Sequence, residues 1–281
     1  MQEIKQLRLF AAQIRRETVK CVGARGFGHI GGALSVVDAL AALYGGVMRI
    51  DPKNPDWAQR DKLVMSKGHA GPAVYATLAL KGYFPLDWLA TLNRPGTKLP
   101  SHCDRKLTPG VDMTTGSLGQ GVSTAIGLAL AQKLSGLPGS TYLVTGDGEL
   151  DEGQVWEGAL FAPQQGLFNL TWFVDANKKQ LDGSVAEVLG LGDIAAKFRA
   201  FGWNALAVDG GDVGAIAGAV EEAHRERGAP TCIVLDTVKG AGLPMIEEIE
   251  LNHHIVLEGK LLERCLAYIE KVICDIEKEA V

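Results

Sequence analysis

The sequence contains no uninterrupted stretch of the roughly 18–20 apolar residues that a membrane-spanning helix requires. Residues 1–6 show no signal-peptide pattern. The five cysteines form no C-x-x-C pair, which argues against a zinc site or a disulfide framework. We therefore expect a soluble, cytoplasmic protein with reduced thiols and no membrane association.

The sequence also has no excess of basic residues. The chain has 28 Lys and Arg against 33 Asp and Glu, which gives a net charge of −5. Proteins that bind nucleic acid usually carry a basic surface, so this balance argues against a nucleic-acid partner. No G-x-G-x-x-G turn with a later acidic partner follows a strand, which argues against a nicotinamide-binding fold.

Glycine, in contrast, is abundant, at 35 of 281 residues. Short apolar segments alternate with helical segments, which predicts βαβ units and an α/β fold. We expect a doubly wound, mostly parallel sheet with helices on both faces. No repeat, linker or domain boundary is visible, so we expect one domain over residues 1–281.

Hydrophobic periodicity locates the elements. We expect strands at residues 62–66, 141–145, 170–174, 204–208 and 232–235. We expect helices at residues 4–22, 35–48, 121–134, 151–165, 192–201, 212–227 and 258–277, the second of them capped by Ser35. Residues 121–134 are small or apolar on every face, which predicts full burial, in the core or at a subunit interface. Residues 93–120 and 178–191 are expected to be long loops, which are often functional.

Two oxygen-bearing side chains follow consecutive strands. Asp147 stands in the turn Gly146-Asp147-Gly148, and Asn177 follows the next strand. The carboxyl ends of neighbouring parallel strands lie side by side, where such sheets bind ligands. We therefore expect Asp147 and Asn177 to hold one Mg²⁺, while the glycine turn and the next helix N-terminus face a phosphate.

This arrangement resembles the signature of thiamine-diphosphate enzymes, in which GDG is followed one strand later by Asn-Asn or a close variant. Here a single Asn ends the segment GDGELDEGQVWEGALFAPQQGLFNLTWFVDAN. Further motifs, in the same order, narrow the resemblance to the transketolase family over about residues 6–255. They are Gly28-His29-Ile30-Gly31-Gly32, Ser66-Lys67-Gly68-His69-Ala70, Pro100-Ser101-His102 and Thr115-Gly116-Ser117-Leu118-Gly119-Gln120-Gly121.

The resemblance implies thiamine diphosphate as cofactor, held through Mg²⁺, or Ca²⁺ or Mn²⁺ in its place. The implied metal ligands are Asp147, Asn177 and the carbonyl of Lys179. The residues implied at the cofactor are His69, Gly116, Ser117, Leu118, Gly146, Asp147, Gly148, Glu149, Glu152, Glu157 and Asn177. Of these, Gly148 would contact the diphosphate, and Glu152 and Glu157 would relay protons where two cofactor-binding domains meet.

Histidines in loops are the candidate catalytic residues. His29, His69 and His102 each stand in a Gly- or Pro-marked loop, and a neutral imidazole there can orient a polyol and move a hydroxyl proton. The resemblance implies that His29 and His102 face sugar hydroxyls and that His69 lies by the diphosphate and thiazolium. His253 is the fourth candidate, although Asn252 precedes it where the family usually has Trp. An altered acceptor pocket and a repacked loop are both compatible with that change.

The resemblance covers only the diphosphate-binding part of a transketolase. The pyrimidine-binding domain, which supplies the glutamate that activates the cofactor, has no counterpart in residues 1–281. We therefore expect the N-terminal subunit of a split transketolase, active only with a C-terminal, pyrimidine-binding subunit in an α2β2 heterotetramer. The implied reaction transfers a two-carbon ketol unit from a ketose or sugar phosphate to an aldose.

Other functions remain open at the level of sequence. One is an alpha-type subunit of a 2-oxo-acid dehydrogenase or a deoxyxylulose-phosphate-synthase-like half, but the histidine loops favour transketolase. Another is a non-catalytic regulatory subunit, which would need neither Asp147 and Asn177 nor the histidines. The donor is also undefined, and a sugar with an unusual anion at its far end is as open as a pentose-pathway sugar phosphate.

Overall fold

The strands are short apolar segments, and most of them lie in one sheet. The computed structural model describes residues 2–279. Its strands are β1 (Phe27–Gly28), β2 (Lys62–Met65), β3 (Thr141–Gly146), β4 (Leu170–Ala176), β5 (Asn204–Asp209), β6 (Thr231–Asp236) and β7 (Ile255–Val256). The central sheet is parallel, in the order β2-β3-β4-β6-β5, and β1 pairs antiparallel with β7 in a separate ribbon.

Helices cover both faces of this sheet. They are α1 (Gln2–Arg25), α2 (Gly31–Leu34), α3 (Val37–Ala42), α4 (Gly71–Leu80), α5 (Gln120–Leu134), α6 (Gly153–Gln164), α7 (Val185–Leu189), α8 (Ile194–Ala200), α9 (Val213–Arg225), α10 (Pro244–Glu247) and α11 (Gly259–Lys278). One core contains buried residues of α1, α3, α4, α9 and α11, and the other contains those of α5, α6 and α8.

The two cores lie on opposite faces of the sheet, and successive side chains of a strand point alternately into one and the other. Tyr142 and Val144 of β3 pack with the first group of helices, whereas Leu143 packs with the second. On β4, Phe173 and Trp172 are divided in the same way. Because strand side chains alternate between faces, strands buried on both sides are apolar throughout. The prediction of a doubly wound α/β fold is confirmed.

The prediction of one helix over residues 35–48, capped by Ser35, is wrong. Ser35 instead follows α2, α3 begins at Val37, and a π turn at Leu43–Val47 ends the segment. The Ser35 hydroxyl is buried and donates to Asp175 Oδ2 over 2.8 Å. This hydroxyl therefore binds a side chain at the end of β4 and does not cap a helix.

The prediction that residues 121–134 are buried on every face is wrong for the core of this chain, and burial at a subunit interface stays a prediction. α5 buries Val122, Ala125 and Ala129 against the sheet, while Gly127 and Leu134 are exposed, Leu134 to 78%. α5 belongs to the outer layer, so only one of its faces meets the core. The uniform composition hid this difference between faces.

The long loops are confirmed with one addition. Within the described residues, no helix or strand lies between Thr91 and Gln120. The second loop, residues 178–191, contains the short helix α7. Ser184 caps this helix, because its hydroxyl accepts from the Glu187 N–H.

All five cysteines are free, and Cys274 is exposed. No helix found in residues 2–279 is both long and apolar enough for a membrane span.

Candidate functional site

Asp147 and Asn177 lie at the carboxyl ends of β3 and β4, which are neighbours in the sheet. The last paired residues of the two strands are Gly146 and Asp175, and the Asp147 N–H that follows donates to the Asp175 carbonyl over 3.1 Å. The Asp147 carboxylate accepts from the Gly148 N–H at Oδ1 (2.9 Å) and from the Lys178 N–H at Oδ2 (2.6 Å). The turns after both strands therefore fix the position of this carboxylate.

The Asp147 carboxylate is short of compensating positive charge. Burial raises its pKa to about 6, and the nearby Asp175 carboxylate adds to the rise. The two backbone donors and the Lys67 ammonium lower that pKa, but they do not cancel the effect of burial. A buried carboxylate of this kind is stabilised by a bound cation.

Asn177 and Lys179 add two further oxygens. The Asn177 amide nitrogen donates to Asp175 Oδ2 over 2.7 Å, and its amide oxygen accepts from the Lys179 N–H over 3.2 Å. The Lys179 carbonyl accepts from Lys239 Nζ over 3.0 Å and keeps a second lone pair. A carboxylate, an amide and a carbonyl oxygen form a hard donor set, which fits Mg²⁺, Ca²⁺ or Mn²⁺. Across residues 2–279, no three His, Cys, Asp or Glu side chains form a metal-binding group.

Two buried lysines at this site were missed by the sequence analysis. Lys67 is 1% exposed and forms an ion pair with Asp175, and Lys239 lies between the Lys179 carbonyl and His253. Burial, followed by the Lys67 charge, lowers the pKa of Lys239 to about 8. Both lysines closely follow strand ends, and that position is the signal that could have found them. Two ammonium groups beside a glycine turn suit an anionic ligand.

One cavity of about 260 Å³ brings most of the predicted residues together. Those that line it are His29, His69, His102, Gly116, Leu118, Gly146, Asp147, Gly148, Glu149, Asn177, Lys179 and His253. Ser117, Glu152 and Glu157 do not line it and are exposed. Glu152 immediately precedes α6 and Glu157 lies on it, outside the cavity of this chain.

The Glu149 carboxylate links the glycine turn by hydrogen bonds to the segments that contain Ser66 and Gly119. Its Oε1 accepts from the Gly119 N–H (2.8 Å) and from the Ser66 hydroxyl, and its Oε2 accepts from the Gly146 N–H (3.2 Å). Burial raises the pKa of this carboxyl. A 3-10 turn, Gly148–Asp151, lies between the glycine turn and α6. Glu149 therefore shapes the wall of the cavity through these bonds.

Gly116 and Leu118 form a second part of the wall. A Cβ added at Gly116 would lie 3.3 Å from the His102 ring, and one added at Gly68 would lie 2.8 Å from the Gly116 nitrogen. This close packing favours glycine at both positions. Leu118 is 37% exposed and lines the cavity, so it adds apolar surface to this wall.

Four histidines from separate loops meet in the cavity. The His29 ring centroid lies 5.7 Å from that of His69, 5.4 Å from that of His102 and 5.2 Å from that of His253. Burial lowers the pKa of all four, to about 4 for His29 and about 3 for His253. They are therefore neutral near pH 7, and each ring can donate one hydrogen bond and accept another.

Asn252 occupies the position where the resemblance leads us to expect Trp. It is 1% exposed, and its Nδ2 donates to the carbonyls of Lys239 (2.8 Å) and Ile246 (2.9 Å). Its own carbonyl accepts from the Gly31 N–H over 3.2 Å. Asn252 thus holds three segments by hydrogen bonds, and the residue after it, His253, lines the cavity.

Comparison with known proteins identifies the family to which this chain is similar. A family model described as "Transketolase, thiamine diphosphate binding domain" matches residues 7–261. The chain is 51% identical over 258 residues to the 6-deoxy-6-sulfo-D-fructose transketolase subunit SqwG of Clostridium sp. strain MSTE9, covering 92% of this chain and 94% of that protein. It is 41% identical over 239 residues to an apulose-4-phosphate transketolase subunit of Actinobacillus succinogenes, covering 85% and 86%.

Solved structures show the same fold in longer chains. A transketolase from Pichia stipitis, in complex with fructose 6-phosphate, matches with a TM-score of 0.85 and 30% identity, over 97% of this chain and 44% of that one. The transketolase of Campylobacter jejuni matches with a TM-score of 0.87 and 26% identity, over 98% and 46%. The chain thus spans less than half the length of these two structures.

Proposed function

The chain belongs to the transketolase family as a subunit that carries its thiamine diphosphate-binding domain, and we propose that it provides the diphosphate- and metal-binding half of a two-subunit transketolase. That enzyme transfers a two-carbon ketol unit from a ketose or sugar phosphate to an aldose. The observation that carries the proposal is the meeting of Asp147 and Asn177 with four histidines in one cavity.

Three oxygens of this chain are the proposed metal ligands. They are the Asp147 carboxylate, the Asn177 amide oxygen and the Lys179 carbonyl, with Mg²⁺ as the metal and Ca²⁺ or Mn²⁺ able to replace it. Gly146 and Gly148 allow a diphosphate to approach the backbone, and the ammonium groups of the buried lysines offset its charge. When bound, thiamine diphosphate supplies the nucleophilic thiazolium carbon and the electron sink for carbon–carbon cleavage.

The histidines act on the sugar. As neutral imidazoles, His29 and His102 donate to and accept from substrate hydroxyls, and His253 accepts from the Lys239 ammonium at Nδ1. His69, two residues after Lys67 in the chain, is proposed to lie by the diphosphate and thiazolium. His29 and His102 can each take a hydroxyl proton and return it without a net change of charge in the buried cavity, whereas His253, whose acceptor nitrogen is occupied by Lys239, donates through its other ring nitrogen.

The remaining cofactor residues have supporting roles in this proposal. Gly116, Ser117 and Leu118 pack near the cofactor rings, and Glu149 keeps their loop against the glycine turn. Glu152 and Glu157 relay protons at the contact between two diphosphate-binding chains. Their exposure next to α5, outside the cavity, supports a role at a subunit contact.

A second subunit completes the site in this proposal. Residues 1–281 form one domain, and a C-terminal, pyrimidine-binding subunit joins it in an α2β2 heterotetramer. The subunit names of the similar proteins support such a partner. The exposed apolar side chains Leu134, Leu160 and Phe161 on α5 and α6 offer a contact surface. The free cysteines support a reducing, cytoplasmic location.

The names of the two similar subunits indicate the class of donor. SqwG is named for 6-deoxy-6-sulfo-D-fructose, and the protein from Actinobacillus succinogenes is named for apulose 4-phosphate. Both sugars carry an oxyanion on a terminal carbon. We propose a ketose with a terminal phosphate or sulfonate as the donor.

Purification of the tagged chain from its own cells, with mass spectrometry, would identify the partner. The purified pair is then assayed with 6-deoxy-6-sulfofructose, apulose 4-phosphate, fructose 6-phosphate and a 2-oxo acid. Ketol transfer from a ketose, dependent on thiamine diphosphate and Mg²⁺, is the expected result. Decarboxylation of the 2-oxo acid without ketol transfer would overturn the proposal.

A further inference from the structure

The ribbon formed by β1 and β7 lies next to the histidine cluster. It pairs Phe27 with Val256 and is followed by a hydrogen bond from the Leu257 N–H to the Gly26 carbonyl (2.8 Å). The ribbon holds Phe27 beside His254, with 5.6 Å between their ring centroids. Neither side chain lines the cavity itself.

Three side chains continue the histidine cluster outward from His29. The His254 ring centroid lies 4.8 Å from that of His29, Phe27 follows His254, and the Arg25 guanidinium carbon lies 4.6 Å from the Phe27 centroid. We call Arg25, Phe27 and His254 the rim group. All three are exposed. A continuous row of contacts therefore joins a cavity histidine to a cation at the surface.

The Arg25 charge is available for a ligand. None of the ion pairs within residues 2–279 includes Arg25, and Glu258, whose carboxylate lies beside Gly26, does not pair with it. A guanidinium that lies over an aromatic ring keeps its edge N–H groups free, and these can bind two oxygens of one oxyanion. The other buried cations of the site already have partners: Lys67 pairs with Asp175, and Lys239 contacts the Lys179 carbonyl and His253.

We infer that the rim group binds the tetrahedral oxyanion, phosphate or sulfonate, at the far end of the sugar substrate. The inference rests on the proposed function, because it requires the reacting end of a sugar to lie at the cavity histidines. The opposite end of the sugar then extends along the row towards His254 and Arg25. The rim group thereby selects anionic sugars over neutral ones, in addition to any group that the partner subunit supplies.

The test compares anionic and neutral donors in the assembled enzyme. Arg25→Gln and His254→Gln are each assayed with fructose 6-phosphate, 6-deoxy-6-sulfofructose and neutral erythrulose. One charge-assisted hydrogen bond corresponds to a loss of about tenfold in kcat/KM for the anionic donors, carried mainly by KM. The neutral donor should change less than about twofold, and Arg25→Lys should restore part of the loss. Arg8→Gln, which removes an exposed arginine at the other end of α1, is the matched control.

The outcomes of this test distinguish a failure of the inference from a failure of the proposed function. A selective loss with the sulfonate, the phosphate or both supports the inference and identifies the anion. Equal losses with neutral and anionic donors, or no loss, would overturn it. If the wild type transfers a ketol unit from none of these donors, the proposed function is contradicted. Calorimetric titration of the full chain with fructose 6-phosphate and fructose then decides the inference: a preference for the phosphate that Arg25→Gln abolishes supports it, and an unchanged or missing preference overturns it.

Discussion

The two ends of the cavity are built differently. One end is the proposed metal site, and we call it the metal end. There Asp147 follows β3, Asn177 and Lys179 follow β4, and backbone N–H groups hold the Asp147 carboxylate and the Asn177 amide oxygen in place. At the histidine end, His29, His69, His102 and His253 come from separate loops and contact one another ring to ring.

This contrast has consequences for mutation. The metal end depends on a few fixed atoms, so the loss of one of them should remove its function. In the proposed function, the histidine end distributes the substrate contacts over several rings, so the loss of one ring should have a graded effect. The predictions below test the contrast in order of decreasing effect.

Lys67→Met should be the most damaging change. It leaves the Asp175 carboxylate buried at 0% exposure without its cation, and breaking one side of a buried pair costs about 3–5 kcal/mol. Urea denaturation of the chain measures the free energy of unfolding. Lys178→Met, which breaks an exposed pair with Asp236, is the matched control and should cost less than about 1 kcal/mol. Equal costs for the two variants would show that the buried pair is not needed for stability.

Asp147→Asn should abolish metal-dependent retention of the cofactor. The substitution keeps the shape but removes the only carboxylate among the proposed ligands, so the affinity for Mg²⁺ should fall by about 100-fold or more. Equilibrium dialysis of the assembled enzyme with thiamine diphosphate and Mg²⁺ measures this loss. Asp209→Asn, at the end of β5 and outside the cavity, should retain the cofactor. Full retention by Asp147→Asn would contradict the ligand assignment.

Asn252→Leu should have an intermediate effect. It removes the two donors to the Lys239 and Ile246 carbonyls, and buried carbonyls left unpaired cost about 1–3 kcal/mol. Because the same bonds hold the loop of His253, we also expect KM for the sugar to rise. Denaturation and steady-state kinetics measure the two effects. A variant as stable and active as the wild type would show that the loop does not depend on these bonds.

The two ends should respond to pH in opposite directions in the metal-free chain. The folded-state pKa of His29, about 4, lies below the ordinary value of about 6.5, so its contribution to the free energy of unfolding is lost as the pH falls from 6.5 to 4. The folded-state pKa of Asp147, about 6, is raised, so its contribution grows as the pH falls from 6 to about 4.

His29→Gln should therefore make the chain lose less stability on acidification. The measurement is urea denaturation at pH 7 and pH 5 for the wild type and the variant. An identical pH dependence in both proteins would show that His29 is not held neutral by the fold.

The same contrast explains what could be predicted from the sequence. The strand ends at Asp147 and Asn177 follow from hydrophobic runs, and parallel pairing brings them together without further information. Ring contacts among loop histidines depend on tertiary packing, so only the family resemblance indicated them. The roles of Ser35 and Lys67 could not be predicted for a related reason. Both side chains donate to Asp175, a buried partner more than 100 residues away in the chain.

Electron–nuclear double resonance of Mn²⁺ in the assembled enzyme with thiamine diphosphate examines the metal and the diphosphate in a single experiment. We expect one bound Mn²⁺ coupled to ³¹P of the diphosphate and without the ¹⁴N coupling of a bound imidazole, because its protein ligands are all oxygens. A metal coupled to imidazole nitrogen, or not coupled to phosphorus, would contradict the assignment of this cavity as the diphosphate- and metal-binding half of a transketolase site.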